Sequence, residues 1–332
     1  MSNATYDVLG IGNAIVDVLA SAEDHFLARH GLAKGAMQLI DSDEAERLYL
    51  AMGAGVEASG GSAANTIAGV ASLGGKTAFV GKVKRDQLGE IFAHDVRALG
   101  VHFDTPMADD GPPTARCLIL VTPDAQRTMN TYLGACVTLG PSDVSPDLVR
   151  AAKVTYLEGY LWDPPAAKEA FRAASRIAHE ASREVALTLS DAFCVDRYRA
   201  EFRDLVATSI DLLFANENEI CSLYEVDTFD EALQHLRGGR ALAALTRSEK
   251  GSVIVSGDDV HVIDPAPASK LVDTTGAGDQ YAAGFLYGYT HGYDLPSCGR
   301  LGGVAAAEVI SHYGARPATS LRDLARANGF PR

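Results

Sequence analysis

Asp273-Thr274-Thr275-Gly276-Ala277-Gly278-Asp279 lies near the C-terminal end of a 332-residue chain. It follows a strand-like segment, Val260 to Ile263, with a proline-rich exit, and precedes a helix-like run from Gln280. Two glycines let the backbone turn tightly and direct successive N–H groups into one cavity. The positive end of the following helix reinforces the same spot, so the segment is built to hold an anion. The Asp279 carboxylate, on the first turn of that helix, lies within reach of whatever the cavity holds. An anion cradle beside a general base suits phosphoryl transfer to a hydroxyl. A lone Gly-Asp pair would also read as loop closure and helix cap. The complete string is far more specific.

That string resembles the signature of the ribokinase-like kinases, the phosphofructokinase-B type. The resemblance covers nearly the whole chain. It implies one kinase domain over residues 1–332, a three-layer α/β/α fold with a mainly parallel central sheet and a small β-sheet lid. It also implies ATP and Mg²⁺ as cofactors, with a monovalent cation such as K⁺ left open. The Gly276, Ala277 and Gly278 amides would then stabilise the moving phosphoryl group, and Thr275 and Gly278 would line the nucleotide site. Asp279, at a helix N-terminus, is expected to stay ionised and act as a weak base.

The composition is that of an ordinary soluble globular protein, at 47% hydrophobic and 22% charged residues. A net charge of −14 argues against nucleic-acid and anionic-membrane surfaces. Any phosphate site must therefore be made locally, from backbone amides, a few basic side chains and a metal. No apolar run approaches the roughly 18 residues of a membrane span. The N-terminal residues show no secretory pattern. Cys117, Cys136, Cys194, Cys221 and Cys298 are scattered and lack a Cys-x-x-Cys pair, and the histidines form no metal-ligand spacing. These features predict a cytoplasmic protein with free thiols. The resemblance implies a small-molecule nucleoside or sugar as its partner, in a monomer or homodimer.

Short apolar runs predict strands at Val8 to Ile11, Ala78 to Val80, Val154 to Leu157, Val185 to Leu189, Leu212 to Phe214 and Leu242 to Leu245. Helical periodicity separates most of them, at Asn65 to Leu73, Leu88 to Leu99, Ala166 to Ala181, Tyr198 to Thr208 and Glu217 to Tyr224. This alternation gives a parallel sheet covered on both faces. A hairpin follows, Ser252 to Val255 and Val260 to Ile263, turning at Gly257-Asp258. The next helix carries Tyr281, Phe285 and Tyr289 on one face. Four extended pieces, at about 13–20, 36–41, 114–121 and 127–133, break the rhythm. The last two join through Thr122-Pro123-Asp124-Ala125, a good turn. They read either as a lid that excludes water from a phosphoryl donor or as extra strands on the main sheet.

Other motifs carry two readings each. Gly60-Gly61-Ser62-Ala63-Ala64-Asn65, between an acidic helix and an apolar one, is a loop with Ser62 as N-cap, or a close approach for a polyol. The resemblance implies the second, with Gly60, Gly61, Ser62 and Asn65 at the acceptor sugar. Gly10-Ile11-Gly12-Asn13 lacks the third glycine and the helix of a dinucleotide fingerprint. In the family an Asp at the end of the first strand bonds two sugar hydroxyls, which places Asp17 there with Asn13. Gly74-Gly75-Lys76-Thr77 is a helix C-cap, since no strand precedes it as a Walker loop requires. Asn216-Glu217-Asn218-Glu219 reads as a capping box. The family carries Asn-x-x-Glu here beside its magnesium, implying Asn216 at the nucleotide and Glu219 at the metal's water shell. Thr246, Ser248 and Gly251 resemble the nucleotide-binding segment, although the family usually has glycine in place of Ser248.

Details lean toward the adenosine kinases within the family. Gly12-Asn13 to Asp17 is similar to their opening motif, and Gln38 aligns with the glutamine they aim at the adenine ring. Leu187 to Phe193 and Asp211 to Glu217 also resemble them, and the Asp-x-Asn-x-Arg of ribo- and fructokinases is missing. Arg127 corresponds to the arginine that closes over the transferred phosphate. Tyr160 and Trp162 follow a strand end near the expected purine pocket, with core packing the default for both. The implied reaction is ATP-dependent phosphorylation of a nucleoside 5′-hydroxyl, adenosine foremost. The alternative acceptor is a sugar such as ribose, fructose or a keto-deoxy sugar.

Overall fold

The computed structural model describes residues 4–124 and 126–330. Ala125, in the predicted turn, lies outside the described residues, as do the chain ends at 1–3 and 331–332. In chain order the first strands are β1 (Tyr6–Ile11), β2 (Ile15–Ser21), β3 (Met37–Leu39), β4 (Val56–Gly60), β5 (Thr77–Val80), β6 (Ala115–Val121) and β7 (Arg127–Tyr132). They are followed by β8 (Ala152–Glu158), β9 (Glu184–Thr188), β10 (Leu212–Asn216), β11 (Leu242–Thr246), β12 (Ser252–Ser256) and β13 (Asp259–Ile263).

Eight strands form one sheet in the order β13-β12-β11-β10-β9-β8-β1-β5. The pairs from β11 through β5 are parallel, and the β12–β13 hairpin adds an antiparallel edge. Alternate side chains enter two apolar layers. Val8, Val154, Leu212 and Phe214 meet the layer that includes Ile67 and Phe285. Leu9, Leu157 and Leu213 meet the layer that includes Phe171 and Phe202. Burial on both faces explains why these strands read as continuous apolar runs. The result is a three-layer α/β/α arrangement.

The second sheet runs β3-β7-β6-β2-β4. All four extended pieces that break the sequence rhythm enter it, so they are not extra strands of the main sheet. The sequence reading misses β4, because Ala58, Ser59 and Gly60 have poor strand propensity. Pairing with β2 compensates. Gly60 therefore ends a strand, and that strand intervenes between the acidic helix Ser42–Ala51 and the motif. Cross-strand neighbours share a face. Ala58, Asp17, Cys117, Thr131 and Leu39 line one face; Glu57, Val18, Leu118, Asn130 and Gln38 line the other.

Helix boundaries differ modestly from expectation. The helix expected at Tyr198 runs from Ala192 to Thr208 with a kink at Tyr198, and Asp191 caps it. Gly74 ends its helix in the left-handed region, as a C-cap should. Lys76 is exposed there. Helices Ser62–Leu73 and Ala277–Thr290 pack tightly, and a β-carbon at Gly69 would sit 2.2 Å from Gln280 Oε1 and 2.6 Å from Ala283 Cβ. Tyr281, Phe285 and Tyr289 form the expected stripe, with Phe285 fully buried against Phe214. Among the described residues no helix is long and apolar enough to cross a membrane.

Phe285→Ala should leave a cavity behind the helix that carries Asp279 and lower stability by about 3–5 kcal/mol. Urea unfolding of both proteins measures this, and a loss under about 1 kcal/mol would show that the site does not rest on this packing.

Candidate active site

The Asp273–Asp279 segment turns where the sequence requires it. Gly276 takes φ +79° as the N-cap of helix Ala277–Thr290, and a β-carbon there would strike Ala315 Cα at 2.6 Å. The helix starts at Ala277, earlier than expected, which puts Asp279 third in it. Among the described residues the backbone N–H groups of Gly276, Gly278 and Asp279 donate to no protein acceptor. The Ala277 N–H instead donates to Thr274 O at 3.2 Å, so the expected three-amide cradle shifts by one residue at its centre. Free N–H groups at a helix N-terminus remain an anion site.

Asp273 fastens this turn. Its carboxylate accepts from Thr275 N at 3.0 Å, Thr275 Oγ1 at 2.7 Å and Gly314 N at 3.1 Å. It also pairs with Arg127 Nη1, and both side chains are buried. Arg127 thus reaches the cradle from β7, as expected, but with Asp273 as its partner. The Tyr313 ring lies 5.9 Å from its guanidinium carbon.

The tight helix pair joins the two conserved-looking motifs of the sequence reading. Ser62 Oγ donates to Asp279 Oδ1 at 2.6 Å, and Asn65 Nδ2 donates to Oδ2 at 3.3 Å. Ser62 is therefore the first helical residue with its hydroxyl on Asp279, while Gly61, at φ +98°, is the N-cap. Burial pushes the Asp279 carboxyl up to about 6, against these two hydrogen bonds. Burial thus lifts Asp279 above an exposed aspartate while leaving it charged at neutral pH.

Asp17 lies on the same side of this assembly. Burial raises it to about 6, while Arg316 and Arg127 pull it down and Asp279 adds to the rise. Sequence reasoning missed Arg316. Its Nε donates to Asn65 Oδ1 at 3.2 Å and its Nη1 to Ser59 Oγ at 2.7 Å. Burial lowers it to about 10, so it keeps its charge. Glu158 was also missed. This buried carboxylate ends β8 and holds Asn13 and the start of the Ser62 helix. A charged residue directly after the apolar run Val154 to Leu157 was the available signal.

Gln38 is not brought to Asp17. Register places it on the opposite face of the second sheet, where its Nε2 donates to Asn130 Oδ1 at 2.8 Å. The Asp17 face instead presents Met37 and Leu39, 48% and 54% exposed. Trp162 is fully buried against Phe171 and Phe202 and donates to Glu201, so it is a core residue. Tyr160 is partly buried and is held up by burial and by Asp191 and Glu219.

The remaining predicted residues stand at the C-terminal ends of β10 and β11, where open α/β sheets bind ligands. Asn216 and Glu219 form a reciprocal capping box, and burial raises Glu219 to about 7 with Asp191 and Asp279 adding to it. Thr246 ends β11, and Ser248 and Gly251 bound the short turn after it. Ser248 takes φ +51°, a left-handed conformation that glycine adopts more cheaply. This accounts physically for glycine being usual there.

The model of the pfkB family carbohydrate kinases matches residues 32–321. The chain is 58% identical to an adenosine kinase from Sinorhizobium meliloti of known structure, covering 98% of this chain and 100% of that one, with a TM-score of 0.91. It is 54% identical to a probable sugar kinase protein from Rhizobium etli CFN 42, covering 98% and 99%, also at 0.91. It is 27% identical over 335 residues to the adenosine kinase of Saccharomyces cerevisiae, covering 93% of this chain and 96% of that protein.

Two buried carboxyls near 6 set a pH expectation. If Asp279 and Asp17 each act in the charged form, kcat/KM for the acceptor should fall as pH drops through about 6. Initial rates across pH check it. An acid limb steeper than one proton is expected, and a flat profile down to about pH 5 would contradict both assignments.

Proposed function

The chain belongs to the pfkB family of carbohydrate kinases, and we propose that it transfers the γ-phosphoryl group of ATP to the 5′-hydroxyl of a nucleoside, adenosine foremost. The observation that carries this reading is the hydrogen bonding of Ser62 and Asn65 to Asp279 beside three free amides. One carboxylate thereby adjoins both the acceptor motif and the anion cradle.

In this reading Asp17, Asn13, Gly61 and Asn65 fix the ribose. Asp279 takes the 5′-hydroxyl proton as the oxygen attacks the γ-phosphorus and the bond to the β-phosphate oxygen breaks. The amides of Gly276, Gly278 and Asp279 hold the equatorial oxygens of the moving group. Arg127 exchanges Asp273 for that group, and the second sheet acts as a lid around it. Asn216, Thr246, Ser248, Gly251 and Thr275 line the nucleotide. Among the described residues no trio of His, Cys, Asp or Glu could cage a metal. A Mg²⁺ would then be carried on the nucleotide, and Glu219, at the edge of the nucleotide site, would be the residue to orient its water shell. When bound, Mg²⁺ supplies charge neutralisation on the phosphates.

A nucleoside suits the site better than a free sugar for one structural reason. Met37 and Leu39 expose apolar surface on the face that carries Asp17. A purine can cover that surface, and a sugar lacks the apolar ring to do so.

Asp279→Asn should lose at least about a hundredfold in turnover while nucleoside binding persists. Turnover within about tenfold of wild type would refute Asp279 as the base. Asp17→Ala should raise the nucleoside KM far more than the ATP KM, and equal rises would argue against a ribose-binding role. An ADP-release screen with Mg²⁺, with and without K⁺, should rank adenosine above ribose, fructose and keto-deoxy sugars. Preference for a free sugar would replace the acceptor and leave the cradle unchanged.

A further inference from the structure

Asn13 is buried, and its backbone N–H and side-chain amide both donate to Glu158. The backbone N–H reaches Oε2 at 3.3 Å, and Nδ2 reaches Oε1 at 2.6 Å. Ala63 N adds a third donor to Oε2 at 2.8 Å. Gly61, the N-cap of that helix, has no side chain to offer, so a carboxylate from β8 satisfies the helix start in its place. Among the described residues Asn13 Oδ1 accepts no hydrogen bond. Burial pushes Glu158 up to about 7 while these three donors hold it down; in its ionised form it only accepts, so Nδ2 faces Glu158 and Oδ1 faces away.

We propose that Glu158 is a positioning residue of the acceptor site, fixing the Asn13 amide so that Oδ1, an acceptor, meets a ribose hydroxyl beside Asp17. The inference rests on the nucleoside reading and sharpens it. With Asp17 also an acceptor, the site asks for two neighbouring hydroxyl donors, so it takes nucleosides with an intact 2′,3′-diol.

The exchange Glu158→Gln tests this directly. A glutamine keeps both backbone N–H groups satisfied only through Oε1, which leaves its NH₂ facing Asn13. The Asn13 amide must then turn over and present a donor to the hydroxyl.

A double-mutant cycle separates this role from a merely structural one. Wild type, Asn13→Ala, Glu158→Gln and the double variant are assayed with adenosine, 2′-deoxyadenosine and 3′-deoxyadenosine. Glu158→Gln should raise the adenosine KM about five- to tenfold and change the ATP KM less than about twofold. Its penalty should shrink to about twofold on at least one deoxynucleoside. The double variant should match Asn13→Ala within about twofold. Additive penalties, an unchanged adenosine KM, or equal penalties on all three acceptors would overturn the inference while leaving adenosine turnover standing. Wild type that phosphorylates no nucleoside would overturn the proposed function and this inference with it. If Glu158→Gln does not fold, Gly12→Ala takes its place in the cycle. Its β-carbon would lie 2.3 Å from Glu158 Oε2, displacing the carboxylate while keeping its charge, with the same pattern expected.

Discussion

The site depends on the close approach of two helices at Gly69. Residues 62 and 279 are 217 positions apart, and only this contact brings the Ser62 hydroxyl to the Asp279 carboxylate. The start of helix Ser62–Leu73 meets the C-terminal end of β8 through Ala63 N and Glu158, and the start of helix Ala277–Thr290 meets that helix start through Ser62 and Asp279. Two helix starts then converge on one cleft. The anion cradle belongs to one and the polyol motif to the other. Gln280 locks the pair by donating from Nε2 to both Asn65 O and Ala315 O, at 3.0 Å each. A side chain at Gly69 would push them apart, and Asp279 would lose its contacts with Ser62 and Asn65.

Charge is the second constraint. The chain carries −14 overall, yet the chemistry requires room for a polyanion. The cleft itself gathers buried carboxyls at Asp17, Glu158, Glu219 and Asp279, all raised by burial. Two arginines reach it, Arg127, which the sequence reading named, and Arg316, which it missed. Arg316 and Arg127 both lower Asp17, and Asp273 occupies Arg127. The unpaired N–H groups of Gly276, Gly278 and Asp279 add fixed positive dipoles without adding net charge. An acidic protein can thus hold phosphate in one small volume.

Much of this was legible in the residues. The seven-residue string gave a helix start, and the buried parallel strands gave continuous apolar runs that periodicity detects. The second sheet was recognisable from Ala115 to Val121 and Arg127 to Leu133, where no helix follows. Strand β4 was not, since Val56-Glu57-Ala58-Ser59-Gly60 has no intrinsic strand preference and forms only against β2. Gln38 illustrates a related limit: a motif match fixes position along the chain, whereas register decides the face, and one residue of shift reverses it. Glu158 and Arg316 touch partners 145 and 251 residues away, and no local spacing encodes such contacts. The Ala277 amide bonding to Thr274 is a matter of turn geometry, which two glycines permit but do not specify.

The central claim is that unpaired main-chain amides at one helix start receive the phosphoryl group in flight beside an ionised aspartate. A crystal structure with adenosine, Mg²⁺, ADP and aluminium fluoride measures this most directly. The account predicts the fluoride plane within about 3 Å of the Gly276 and Gly278 nitrogens, with the 5′-oxygen between aluminium and Asp279. Fluoride bound elsewhere, with those amides facing water and the 5′-oxygen remote from Asp279, would contradict it.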